Sequence, residues 1–229
     1  MANENEKSAA AGAAMRFVQD HDIVGLGSGS TSAYALRSLA ERVHAGLQIR
    51  AIPTSLQVEE MAKAAGIPLT TFDEVQQIDV TIDGADEFDP DLNLIKGGGG
   101  ALLHEKIVAS ASRQLIIITD SSKQVRVLGR FPLPVEVIPF AEALIVKEIE
   151  NLGARVTPRR LADGKPFVTD EHNHILDCYF GKIPDAAALA RKLETMPGVV
   201  EHGLFIGMAS VVLVAKGSEV QELHRPRAA

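Results

Sequence analysis

Between Asp83 and Val108 the chain reads DGADEFDPDLNLIKGGGGALLHEKIV, a stretch that gathers the side chains most able to do chemistry. Asp83 and Asp86 flank Gly84-Ala85, small residues that let a ligand approach the backbone. Lys96 supplies a cation immediately before Gly97, Gly98, Gly99 and Gly100. A glycine run of this kind can turn several backbone N–H groups toward one anion. Glu105 follows within the first or second turn of a helix-length segment, so its carboxylate would face back toward the same place. The inventory is acid, base, cation and amide donors, with no thiol and no metal-ligand spacing.

The elements that must position these groups are a strand before and a helix after. The run IDVTID is rich in β-branched residues, and ALLHEKIVASAS carries Leu103, Ile107 and Ala111 four apart. In open α/β sheets ligands bind in the crevice at the carboxyl ends of the strands, which is where this order places the carboxylates and glycines. The rest of the first half alternates in the same way. A helix is expected over 6–19 with Lys7 at its start, then a strand over 22–27. Gly27-Ser28-Gly29-Ser30-Thr31 leads into the next helix. Strand, Gly/Ser loop and helix make an anion site from amides, hydroxyls and the positive helix end. The third glycine of a dinucleotide fingerprint is replaced by Ser30, and the next strand (47–52) leads to Pro53-Thr54-Ser55 without an acidic residue for a ribose diol. A single phosphate or a polyol fits better. Thr54 with Gln57 reads as a capping box, strands follow over 68–71 and 79–83, and 114–120 is a continuous apolar strand. That strand runs into Asp120-Ser121-Ser122-Lys123, so Lys123 falls at another carboxyl end.

Phe131-Pro132-Leu133-Pro134 changes the composition, and a boundary is placed there. Beyond it come a strand over 135–139, a helix over 141–152 and a strand over 154–158. A hairpin from 167–169 to 175–177, a helix over 185–195 and a strand over 199–205 follow. This β-α-β-β-α-β order indicates a small ferredoxin-like α+β domain. Ser210 to Ala215 is a last buried strand that returns to the first sheet, and 225–229 reads as a frayed tail. The expected fold is α/β: a Rossmann-like, mostly parallel sheet domain over 1–130 plus 206–229, and the ferredoxin-like domain over 131–205.

Composition narrows the function classes. With 229 residues and 46% hydrophobic content the chain can bury a substantial core. Its net charge of −7, without a block of basic residues, argues against a nucleic-acid surface. The opening MANENEKSAAAGAA shows no secretory pattern, and no apolar run approaches the roughly 20 residues that span a bilayer. A cytoplasmic protein without membrane or nucleic-acid partners is expected. Cys178 alone allows no internal disulfide and reads as a small buried side chain. His172 and His174, at an expected turn, lack further ligands at metal spacing.

Taken together, Gly27-Ser28-Gly29-Ser30-Thr31, Asp83-Gly84-Ala85-Asp86-Glu87, Lys96-Gly97-Gly98-Gly99, Glu105-Lys106-Ile107, Asp120-Ser121-Ser122-Lys123 and Phe131-Pro132-Leu133-Pro134-Val135-Glu136-Val137 stand in the order found in one family. The sequence resembles ribose-5-phosphate isomerase, type A, from about Lys7 to about Ala215. The resemblance implies interconversion of D-ribose 5-phosphate and D-ribulose 5-phosphate through an enediolate, in the non-oxidative pentose phosphate pathway, without metal or organic cofactor. It implies that Glu105 is the base moving a proton between C2 and C1. Asp83 and Asp86 would assist ring opening and proton movement between oxygens, and Lys96 would stabilise the enediolate charge. The substrate would lie against Gly84, Ala85, Gly97, Gly98 and Gly99, with its phosphate on Ser28, Gly29, Ser30, Thr31, Lys123 and Lys7. A homodimer or homotetramer is implied. Ser28 stands where many relatives have Thr, and Phe88-Asp89-Pro90 departs from common versions of its loop. Two other classes share parts of the pattern: a phosphosugar-sensing module, which would need an output element, and an acyl-CoA transferase with a glutamate nucleophile.

Overall fold

The structure, a computed structural model, describes residues 2–217 and 219–225. In chain order the elements are α1 (Ala2–Ala14), β1 (Ile23–Leu26), α2 (Gly29–His44), β2 (Arg50–Pro53), α3 (Leu56–Ala64), β3 (Ile78–Asp83), β4 (Glu87–Phe88), β5 (Leu94–Ile95), α4 (Leu102–Ser110) and β6 (Ser112–Asp120). Then come β7 (Leu133–Val137), α5 (Glu142–Asn151), β8 (Arg155–Pro158), β9 (His174–Tyr179), α6 (Ala186–Glu194), β10 (Val199–His202), β11 (Leu204–Phe205), β12 (Val211–Lys216) and β13 (Glu219–His224). They form two compact units, the first from Met1–Ala85, His104–Lys123 and Met208–Ala229, the second from Asp86–Leu103 and Gln124–Gly207.

The first unit is built on a six-stranded sheet in the order β13-β12-β6-β3-β1-β2. Every neighbouring pair is parallel except β12 with β13, as the strand-helix alternation requires. Val24 and Leu26, Val80 and Ile82, and Ile116 and Ile118 join a core with α1, α2 and α3. At the alternate positions the packing is closer. A Cβ on Gly25 would stand 1.9 Å from Thr81 Oγ1 and 2.7 Å from Val108 Cγ1, so this glycine is what admits α4 to the sheet. On α4 the buried residues include Leu102, Glu105, Val108 and Ala109, whereas Ile107 of the expected apolar stripe is 44% exposed.

The second unit holds a four-stranded antiparallel sheet ordered β10-β7-β9-β8, the ferredoxin-like arrangement expected. Leu133, Val135 and Val137 of β7 pack with Ile145 and Ile149 of α5 and Leu193 of α6. A three-stranded sheet, β11-β5-β4, belongs to the same unit.

Several expectations are corrected. The first helix begins at Ala2, so Lys7 lies inside it and not at its start. Residues 68–71 form no strand; Leu69 makes a single bridge to Ala51. The cap of α3 is Ser55, whose hydroxyl accepts from Val58 N at 3.2 Å, while Thr54 is buried and donates to the Leu26 carbonyl at 2.8 Å. Phe167-Val168-Thr169 contributes only a bridge at Val168, because β9 pairs with β7 and β8 instead. The strand expected over 199–205 breaks at Gly203, whose amide donates to Pro134 of β7 while its carbonyl accepts from Lys96 just beyond β5, so the chain passes there from one sheet to the other. Residues 219–224, unassigned from the sequence, form the edge strand β13, and of the expected tail 226–229 lie outside the described residues.

The Gly25 contact gives a direct test. Gly25→Ala is expected to lower stability by about 1–3 kcal/mol through overpacking. Gly12→Ala, exposed on α1 with nothing near the added methyl, is expected to raise it by roughly 0.5–1 kcal/mol. Thermal melts of both variants beside the parent check the pair.

Candidate active site

In the first unit, β1 ends at Leu26 and the chain turns through Gly27 and Ser28 into α2. Gly29, with φ +90, makes the turn that a side chain would strain. Ser28 is the N-cap residue, but its hydroxyl makes no cap bond. It is shared instead with Thr54 Oγ1 at 2.7 Å and Ser55 Oγ at 3.3 Å. The first turn of α2, Gly29-Ser30-Thr31, therefore keeps amide donors that no capping side chain occupies. Lys7 reaches from α1 to donate to Ser30 Oγ at 2.8 Å. A cavity of about 340 Å³ opens here, lined by Gly27, Gly29, Ser30, Ser32 and Gln57 among others. Ammonium, hydroxyl and helix N-terminus meet at one place, which suits an anion.

Asp83 ends β3 and is 1% exposed. Its Oδ1 accepts from Gly84 N at 2.7 Å and Ser32 Oγ at 3.2 Å, which links the carboxylate to α2. A Cβ on Gly27 would lie 2.1 Å from that oxygen, so the glycine is required for Asp83 to sit beside β1. Glu105 stands in the first turn of α4, where the helix dipole favours a carboxylate, and is 4% exposed. Asp120, buried at the end of β6, accepts from Ser122 N at 2.9 Å and from the Ser122 hydroxyl. It thereby fixes the 3₁₀ turn Ser121–Lys123 that carries the half-buried Lys123.

In the second unit, Asp86 N donates to the Ile95 carbonyl at 2.8 Å, and Asp86 Oδ2 accepts from Gly98 N at 2.8 Å. Lys96 is 2% exposed. Its amide donates to the Gly203 carbonyl at 2.9 Å, and its ammonium stands 5.4 Å from the centre of the Phe205 ring. Gly97 and Gly100 have φ of +97 and +89, and Gly100 N closes the turn on the Gly97 carbonyl at 3.0 Å. Glu87, the last residue of the DGADE run, serves the fold: fully buried, it accepts from Gly129 N at 2.8 Å and Phe131 N at 2.6 Å.

Within each unit several of the expected site residues meet: Lys7 with Ser30, Asp83 with Gly84, and Asp86 with Gly98. Two residues that hold them in place were not singled out from the sequence. Ser32 carried a signal, a further hydroxyl directly after the Gly/Ser loop; Phe205, distant in sequence from Lys96, carried none. Among the described residues no group of histidine, cysteine or acidic side chains could hold a metal. His174 lies on β9, not in the turn with His172, and pairs with Glu142. Burial, and secondarily the charge of Asp177, push the Cys178 thiol well above its ordinary pKa, so it stays protonated. No helix among the described residues is long and apolar enough to cross a membrane.

A sequence profile of the family described as ribose 5-phosphate isomerase A (phosphoriboisomerase A) matches residues 50–219. Ribose-5-phosphate isomerase A of Sphingopyxis alaskensis is 50% identical over 223 residues, 97% of each chain. The chain belongs to the ribose-5-phosphate isomerase A family. The Agrobacterium fabrum member is 51% identical over 215 residues, covering 91% of this chain and 93% of its own. Among solved structures, a D-ribose-5-phosphate isomerase in complex with phospho-erythronic acid superposes with a TM-score of 0.95 at 39% identity, over 98% of this chain and 100% of that one. Ribose 5-phosphate isomerase A from Methanocaldococcus jannaschii gives 0.92 at 38% identity, over 96% and 99%. As a ribose-5-phosphate isomerase A, the chain interconverts ribose 5-phosphate and ribulose 5-phosphate in the pentose phosphate pathway.

The contact between Gly98 and Asp86 is tight enough to test. A Cβ on Gly98 would fall 2.6 Å from Asp86 Oδ1. Gly98→Ala is therefore expected to lower kcat by about 10-fold or more, the scale of small misplacements in a catalytic array, with its melting temperature close to that of the parent. Steady-state kinetics and a thermal melt read both.

Proposed function

We propose that this isomerase works through Glu105 as the base that carries a proton between C2 and C1. The hydrogen on C2 of the open-chain aldose is weakly acidic, and its removal places negative charge on the oxygens at C1 and C2. Lys96 is the cation that stabilises this enediolate, a role for which a buried ammonium is far stronger than an exposed one. Asp83 and Asp86 assist ring opening and move the proton between the two oxygens. The proton taken from C2 is returned by Glu105 to C1, which leaves the carbonyl at C2 and regenerates the carboxylate. The observation that carries the assignment is the Glu105 carboxylate, 4% exposed on the first turn of α4, in a chain whose family makes this interconversion.

The phosphate, in this reading, sits at the N-terminus of α2 on the Gly29-Ser30-Thr31 turn with Lys7 and Lys123. The Lys7 to Ser30 bond and the cavity beside it support that place. Ser28 contributes by aligning the turn, since its hydroxyl faces Thr54 and Ser55. Gly84, Ala85, Gly97, Gly98 and Gly99 give the sugar close access to backbone. The related structure named as a complex with phospho-erythronic acid supports a phosphorylated, acidic occupant. We also propose a metal-free and cofactor-free reaction, a cytoplasmic location, and a homodimer or homotetramer.

Glu105→Gln is expected to lower kcat by at least about 10²-fold, the contribution of a positioned base, and to abolish exchange of solvent deuterium into C1 or C2 of the sugar. Retained exchange in an NMR assay in deuterated water would remove Glu105 from the mechanism. Lys123→Ala should weaken inhibition by phospho-erythronic acid by about 10-fold, as expected for loss of one charge-assisted contact; an unchanged inhibition constant would place the phosphate elsewhere.

A further inference from the structure

We propose that Arg159 is a positioning residue of the isomerase, holding the glycine loop that follows Lys96 in the one geometry that serves catalysis. The proposal rests on the role just assigned to Lys96 and Asp86. Arg159 lies directly after β8, 62 and 61 residues from Gly97 and Gly98, and its side chain is 13% exposed. Nη1 donates to the Gly97 carbonyl at 3.0 Å and to the Gly98 carbonyl at 3.1 Å. Nε and Nη2 donate to Asp177 Oδ2 at 3.0 Å and Oδ1 at 2.5 Å. One edge of the guanidinium is therefore spent on a two-point carboxylate pair that fixes its plane, and the remaining nitrogen on two consecutive carbonyls.

The covalent geometry of the loop turns this into a statement about Asp86. A trans peptide points its C=O and its N–H in opposite directions. The peptide joining Gly97 to Gly98 has its carbonyl on Arg159 and its N–H on Asp86 Oδ2, at 2.8 Å. Cation, peptide dipole and carboxylate stand in line, so holding one end orients the other. A second contact closes the loop from the far side. Phe167 stacks against Arg159, its ring centre 5.7 Å from the guanidinium carbon, and a Cβ on Gly100 would lie 2.4 Å from Phe167 Cζ. The backbone of Arg159 is tied in as well: its carbonyl accepts from Phe167 N at 3.0 Å and its amide donates to Ile175 at 2.7 Å. Without these anchors a run of four glycines has more backbone freedom than any other tetrapeptide.

A lysine cannot replace this arrangement. Its ammonium is a single point on a flexible stem and does not present the planar fork that meets Asp177 and both carbonyls together. Arg159 touches the loop and not the reacting carbons, so its removal should slow turnover without freeing the phosphate.

The test uses the full-length enzyme with Arg159→Gln, Arg159→Lys and Asp177→Asn, beside Lys96→Met and Asp86→Asn as references. Measured are kcat, the inhibition constant of inorganic phosphate, that of phospho-erythronic acid, and the melting temperature. For Arg159→Gln we expect kcat to fall about 10- to 100-fold, the range attached to a misplaced catalytic group. Phospho-erythronic acid should weaken in step, while inorganic phosphate should stay within about two-fold, a difference that anchor geometry alone predicts. Arg159→Lys and Asp177→Asn should fall between Arg159→Gln and the parent. The proposal is overturned if Arg159→Gln keeps kcat within about two-fold of the parent, or if phosphate affinity and melting temperature collapse together with kcat. Should Lys96→Met and Asp86→Asn themselves keep parental turnover, it is the assignment of the loop to catalysis that fails.

Discussion

A carboxylate withdrawn from water is tolerated only where donors meet it, and the first unit is arranged around one such group. Asp83 ends a central parallel strand with 1% exposure, and its oxygen takes the amide of Gly84 and the hydroxyl of Ser32. Both donors depend on backbone placement. Ser32 arrives because α2 starts at Gly29, two residues after the point where the chain leaving β1 passes so close to Asp83 that only a glycine fits, at position 27. One buried charge thus fixes the end of β3, the exit of β1 and the start of the helix whose first turn faces the adjoining cavity.

The second unit solves a different problem, which is how to give shape to a chain with little intrinsic shape. Four successive glycines permit the positive φ at Gly97 and Gly100 and the approach of Asp86 to Gly98, but they supply no side chain to hold the result. Stability comes from outside the run: Arg159 on the carbonyls, Asp86 on an amide, and Phe167 and Pro134 packed where a methyl group would otherwise stand. Lys96 enters the run from β5, anchored through Gly203, at the point where β10 gives way to β11.

The sequence carried the parallel sheet and the ferredoxin-like order because a continuous apolar run marks a strand covered on both faces, as in 114–120, and a helical period marks an amphipathic helix, as in 185–195. It also marked Asp83, Asp86, Lys96 and Glu105, unusual in type and spacing, as candidates for chemistry, and of these the fold buries Asp83, Lys96 and Glu105. It did not carry Arg159, because a side chain that acts 60 residues away leaves no local pattern. The two-residue strands β4, β5 and β11 are too short to show alternation. Thr54 and Ser55 are adjacent hydroxyls, both able to cap a helix and serine the better of the two, and burial reinforces that preference: Thr54 is drawn to the Leu26 carbonyl, leaving Ser55 to cap. The stretch 68–71 has the residues of a strand but meets only one neighbour, at Leu69.

The last strand has a consequence for the solution behaviour of the molecule. β12 runs through Val211-Val212-Leu213-Val214-Ala215, all buried, and on one side it pairs with β6. Its other side would be a bare hydrophobic rim offering unpaired amides and carbonyls to any passing chain, the template from which fibrils and amorphous precipitates grow. β13 occupies that rim in antiparallel register and turns outward Glu219, Gln221, Glu222 and His224, all exposed. A short polar strand that adds little to the interior thus acts as a gatekeeper, keeping the stickiest edge of the sheet out of reach of its neighbours in a crowded solution.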